Sequence, residues 1–280
     1  MLIVNSDGTS ELDSLIDSLL SYGKLASPSG EIDYTEESLD DLKKLREVKQ
    51  VWSLDLTALE DFDINRANNI IGGKPFTTEA NPWIVDDEGN PLYPLIQLNL
   101  EQISNLTGTD FGTGLLQVWI NINVDGENWM SNVIRVIDPD EMDELPTAVE
   151  FDSSEINPGG EYSEGYTISF NSLGYMCTSW EGWQLVFKSD RSASKEEEEI
   201  IRQIEDITSK NSYSTLPKDW LLGFPDRGSG TPAGGYIPEP KNFIQFANPE
   251  SFPPVYIGRL GNIFYDGSGE NANFWFDWNG

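Results

Sequence analysis

Leu12, Leu15, Ile16, Leu19 and Leu20 recur at intervals of three and four, the spacing that puts side chains on one face of a helix. Ser10 supplies an N-cap, Glu11 and Asp13 suit the first turn, and Gly23 supplies a stop, so a helix is expected over residues 10–22. Thr35 is placed to cap a second helix from Glu36 to Val51, with Leu39, Leu42, Leu45 and Val48 on its apolar side. Lys74–Pro94 is rich in turn residues and reads as irregular.

Beyond it the pattern shortens to strands. Leu95–Leu100, Leu115–Val124 and Val133–Ile137 are apolar or alternating runs, the last stopped by Asp138-Pro139. Tyr166–Phe170, Gln184–Phe187, Phe243–Phe246, Val255–Ile257 and Asn262–Tyr265 are further candidates. Lys195–Ser209 returns to helical spacing, with Ile200, Ile201, Ile204 and Ile207 on one face. Its four glutamates, Glu196–Glu199, suit the positive end of the helix dipole.

A weak internal repeat runs through the strands. Gly73, Gln97 and Gly114 are spaced like Gly223, Gln245 and Gly261: the steps are 24 and 17 residues in one copy, 22 and 16 in the other. A glutamine inside an apolar strand is costly unless it is hydrogen-bonded, so Gln97 and Gln245 read as structural residues ahead of ligand contacts. The expected fold class is α+β: duplicated β-sheet units, N-terminal helices and one later charged helix. The expected division is a helical segment at residues 1–64 and an α+β domain at 65–280. Pseudo-repeats at about 70–137 and 220–266 lie in that domain, and all of it packs as one compact unit.

Composition narrows the chemistry. The 280 residues contain no histidine and one cysteine, Cys177. That removes Ser-His-Asp and Cys-His catalysis, His-ligated zinc, a Cys-cluster metal site and any intramolecular disulfide. No cofactor is expected. Asp86–Asn90 and Asp266–Asn271 look superficially like calcium loops, but the glycine and closing glutamate are misplaced, so polar turns are the better reading. Cys177 has no basic neighbour in sequence to activate it. Met1–Asp7 lacks a basic leader region and no apolar run approaches a membrane span, so a cytoplasmic protein without membrane contact is expected.

Charge adds a sign. The net charge is −31. Spread evenly over about 12,000 Å² it would leave charges roughly 20 Å apart, beyond the ~8 Å Debye length. It is not spread evenly. Between Lys74 and Lys188 the only basic residue is Arg135, among 19 acidic ones. Asp138, Asp140, Glu141, Asp143, Glu144, Glu150, Asp152, Glu155, Glu161 and Glu164 form the dense part. They read either as a face for a basic partner or as a solvated acidic loop; nucleic acid is disfavoured as a direct ligand. Trp180 and Trp183, with Trp129 and Phe274–Trp278, are either an aromatic binding surface or sheet packing.

The order and spacing of several short pieces resemble the YwqG-like family, bacterial domains of unassigned activity. The pieces are Gly72-Gly73-x-Pro75, Pro82-Trp83, Pro91-Leu92, Leu95–Leu100, Gly114–Trp119, Leu221–Pro225 and Phe243-Ile244-Gln245, covering residues 65–266. The resemblance implies an α+β fold with duplicated sheets, and occurrence in gene neighbourhoods that include toxin–immunity systems. Tyr256–Gly261 departs from the acidic, glycine-rich segment of the family pattern, so no role attached to those acids carries over.

The functional expectation is a non-enzymatic acidic binding protein with no catalytic residues. Asp138–Glu155, Trp180 and Trp183 would meet a basic protein, with immunity against a cognate toxin as the leading role. Two other classes stay open: an acidic nucleic-acid mimic that blocks a DNA-binding protein, and a carboxylate- or metal-dependent hydrolase.

Overall fold

A computed structural model describes residues 4, 9–21, 45–59, 67–121, 132–147, 165–177, 194–211, 219–223, 241–247 and 260–279. The fold is mostly β. Its strands are β1 Val48–Ala58, β2 Ile70–Ile71, β3 Tyr93–Asn99, β4 Leu115–Ile120, β5 Asn132–Ile137, β6 Tyr166–Cys177, β7 Trp220–Leu222, β8 Lys241–Ala247, β9 Leu260–Asp266 and β10 Asn273–Asn279. The helices described are α1 Glu11–Ser21, α2 Leu100–Thr107 and α3 Lys195–Asn211.

The expectation of an α+β fold with duplicated sheet units is overturned, because all ten strands belong to one antiparallel sheet. What repeats in the sequence is a hairpin within that sheet. In β3–β4 the register slips between Pro94 and Ile96, then pairs Gln97 with Gln117. In β8–β9 it slips between Asn242 and Ile244, then pairs Gln245 with Asn262. A one-residue bulge two positions before a buried glutamine produces the shared spacing without a second sheet.

By its internal contacts the chain divides into two units. One comprises Met1–Ser53 and Ser172–Asp226. Here α1 forms as expected, with Leu12, Ile16 and Leu19 buried against Ile201 and Ile204 of α3, and with Leu45 and Cys177. The Ser10 amide and hydroxyl both donate to the Asp13 carboxylate at the start of α1. Arg46 pairs with Asp17 and lies 4.0 Å from Asp13. The start of α3 is a capping box: the Ser194 amide donates to Glu197 at 2.7 Å and the Glu197 amide to Ser194 Oγ at 3.2 Å. That accounts for a buried glutamate in a run of exposed ones.

The expected helix over Glu36–Val51 ends differently. Residues 36–44 lie outside the described residues, but Val48–Val51 begin β1, which pairs Val51 with Leu222 and Ser53 with Trp220. Val48-Lys49-Gln50-Val51-Trp52-Ser53-Leu54 carries β-branched and aromatic residues, and sheet pairing overrides the weaker helical reading. Gln184–Phe187 and Val255–Ile257 also lie outside the described residues.

The other unit comprises Leu54–Asn171 and Arg227–Gly280. β2, β3, β4 and β5 are consecutive neighbours, β2 also pairs with the first residues of β6, and β8, β9 and β10 form a three-stranded run. All six residues of β4 and six of the seven in β3 are buried, so these near-continuous apolar strands hold the core. Leu100, expected to end a strand, instead opens α2: Asn99 accepts the Gln102 amide as N-cap, and Gly108, left-handed at φ 71°, closes the helix. Phe111 packs edge-on against Phe243 and Tyr265, at 4.8 and 4.9 Å between ring centres. No helix among the described residues is long and apolar enough to cross a membrane.

Candidate functional site

The described part of the acidic stretch is built on the end of β5. Ile137 is buried, and Pro139 cannot donate to a ladder, so the strand stops and a 3-10 turn forms over Pro139–Asp143. Within it the Glu141 amide donates to the Asp138 carbonyl, and the Asp138 amide reaches the Glu141 carboxylate at 3.3 Å. Met142 packs against the cluster of Phe76, Leu115 and Ile137. Past the turn, the Thr147 amide donates to the Thr77 carbonyl at 2.8 Å. The segment is thus tied down at its start, middle and end.

That anchoring leaves the carboxylates of Asp138, Asp140, Asp143 and Glu144 exposed, with Glu141 half-buried. Among the described residues, the ion pairs involve Arg46, Lys49, Arg202 and Lys210, and none reaches these acids. Glu150, Asp152, Glu155, Trp180 and Trp183 lie outside the described residues.

The basic residue nearest in sequence points elsewhere. Gln97, Gln117 and Arg135 stand opposite one another across β3, β4 and β5, forming one polar row across an apolar sheet. Gln97 Oε1 accepts the Phe76 amide at 2.8 Å and Gln117 Nε2 at 2.7 Å, while its Nε2 donates to the Asn68 carbonyl at 2.9 Å. Gln117 Nε2 also donates to the Phe76 carbonyl at 2.7 Å, so the two glutamines grip one residue's backbone from both sides. Arg135 Nε donates to Gln117 Oε1 at 2.7 Å, Nη1 to the Pro82 carbonyl at 2.8 Å, and Nη2 to the Asn81 carbonyl at 3.4 Å. Its guanidinium lies 5.3 Å from the Trp119 ring centre, and Trp119 meets Trp83 edge-on at 5.1 Å. Burial pushes the Arg135 pKa down to about 10, against the opposing pull of Glu141, so it remains charged at neutral pH. The row is structural: it seats the 76–83 segment over the sheet and turns the local cation inward.

Sequence reasoning found Gln97 but missed Gln117 and Arg135 as its partners. The available signal was a polar residue at mid-strand in three successive apolar runs, which antiparallel pairing brings side by side. Of the terminal aromatics, Phe274, Trp275 and Phe276 pack against rings of neighbouring strands. Phe276 is buried and stacks with Phe246, and Trp275 stacks with Phe264.

Asp86 accepts the Glu88 and Asn90 amides and the Asn90 side chain, which close the turn upon itself and lower the carboxyl's pKa. No group of metal-binding side chains is found among the described residues. Cys177 is fully buried, and desolvation pushes its thiol up to about 11, so it is a poor nucleophile.

These features define a β-rich domain with an anchored acidic turn at the end of one sheet-terminal strand. The chain belongs to the family described as a domain of unknown function (DUF1963), whose model matches residues 70–243. The match spans the polar row and the acidic turn. No curated protein matches the chain.

Proposed function

We propose that the chain is a non-enzymatic acidic binding protein that engages a basic protein, with neutralisation of a cognate toxin as its role. The observation that carries this reading is the turn at 138–144: four exposed carboxylates, in no ion pair among the described residues, on a backbone held by Met142, Thr147 and the Asp138–Glu141 bond. A fixed array loses less conformational freedom on binding than a loose loop does. Arg135 donates to Gln117, Asn81 and Pro82, and the acid of the turn whose charge it feels is Glu141, which is not one of the four. The gene neighbourhoods implied by the YwqG-like resemblance supply the toxin as the kind of partner.

Asp140→Asn, Asp143→Asn and Glu144→Gln together should leave thermal stability unchanged or slightly raised, since they relieve self-repulsion. Glu141 is left in place because it caps the turn. Association with polylysine, and with the product of the adjacent gene, should slow about tenfold at low salt, the difference closing toward about 500 mM. Stopped-flow rates that match the wild type at every salt concentration reject the acidic turn as the contact. Turnover of an ester, sugar or phosphodiester, lost on a single Asp→Asn change, rejects the non-enzymatic reading.

A further inference from the structure

We draw no further inference here: the strongest candidate, the side-chain row of Gln245, Asn262 and Asp277 across β8, β9 and β10, repeats the Gln97–Gln117–Arg135 row with an acid in place of the guanidinium and a buried Asn262 Oδ1 that accepts no hydrogen bond, but residues 224–240 and 248–259 on either side of β8 lie outside the described residues and nothing in the structure shows what covers the row.

Discussion

Gln97→Leu should destabilise the protein by about 2–4 kcal/mol, read from urea unfolding followed by tryptophan fluorescence. Leucine fills much the same volume, so the effect is not a cavity. It comes from the groups left behind. The Phe76 amide and Gln117 Nε2 lose their acceptor in a buried setting, and the Asn68 carbonyl loses its donor. An unsatisfied buried polar group costs about 1–3 kcal/mol, more than a made hydrogen bond contributes. Gln97→Glu keeps an acceptor but buries a charge and loses the bond to Asn68, so it should not rescue. Gln97→Leu combined with Gln117→Leu should cost less than the sum of the two, because each change removes a group the other would have orphaned. A loss below about 0.5 kcal/mol for Gln97→Leu would mean that water or a shifted loop satisfies Phe76.

That clamp is half legible in the sequence. A glutamine in Leu95-Ile96-Gln97-Leu98 demands a partner on energetic grounds alone. Its identity was not legible, because Phe76 lies 21 residues away and the segment between has no regular periodicity. Helices with strong one-sided spacing, α1 and α3, were found to within a residue or two, since local sequence sets their buried face. α2 was hidden: its eight residues are too few for a clear period, and Leu98-Asn99-Leu100 reads as strand until Asn99 is recognised as a cap. β1 was concealed by leucines and valines whose spacing also fits a helix. The error in fold class followed from treating a repeat as an autonomous unit. A repeated hairpin with a bulge has the same sequence signature as a repeated domain, and only strand pairing separates them. The acidic turn was legible as a surface element from its prolines and charge. Its anchoring through Met142 and Thr147 depends on contacts with residues 70 or so positions earlier.

The inward cation leads to the second large effect. Arg135→Met should cost about 2–3 kcal/mol, and Arg135→Lys nearly as much. Methionine preserves the apolar stem over Trp119 but removes the donor of the Gln117, Pro82 and Asn81 oxygens; Gln117 keeps the Trp119 indole and Asn81 the Thr78 amide, so the Pro82 carbonyl loses most. Lysine keeps the charge, yet one ammonium cannot reach three acceptors spread around a planar fork. Part of the loss is offset, because removing a half-buried charge also removes its desolvation penalty, the penalty that depresses the Arg135 pKa. Desolvation does not win, since the guanidinium stays bonded on all three nitrogens and stacked on a ring. The folded-state pKa of about 10 lies well above neutrality, so Arg135 is protonated in folded and unfolded chains alike from about pH 6 to 9. The stability gap between wild type and Arg135→Met should therefore stay flat across that range. Amide exchange should quicken around Asn81 and Trp83, where the segment loses its tether, and stay unchanged in α1 and α3. A variant as stable as wild type, with unaltered exchange at residues 81–83, would show that the segment is seated by the Phe76 clamp and the Trp83–Trp119 contact alone.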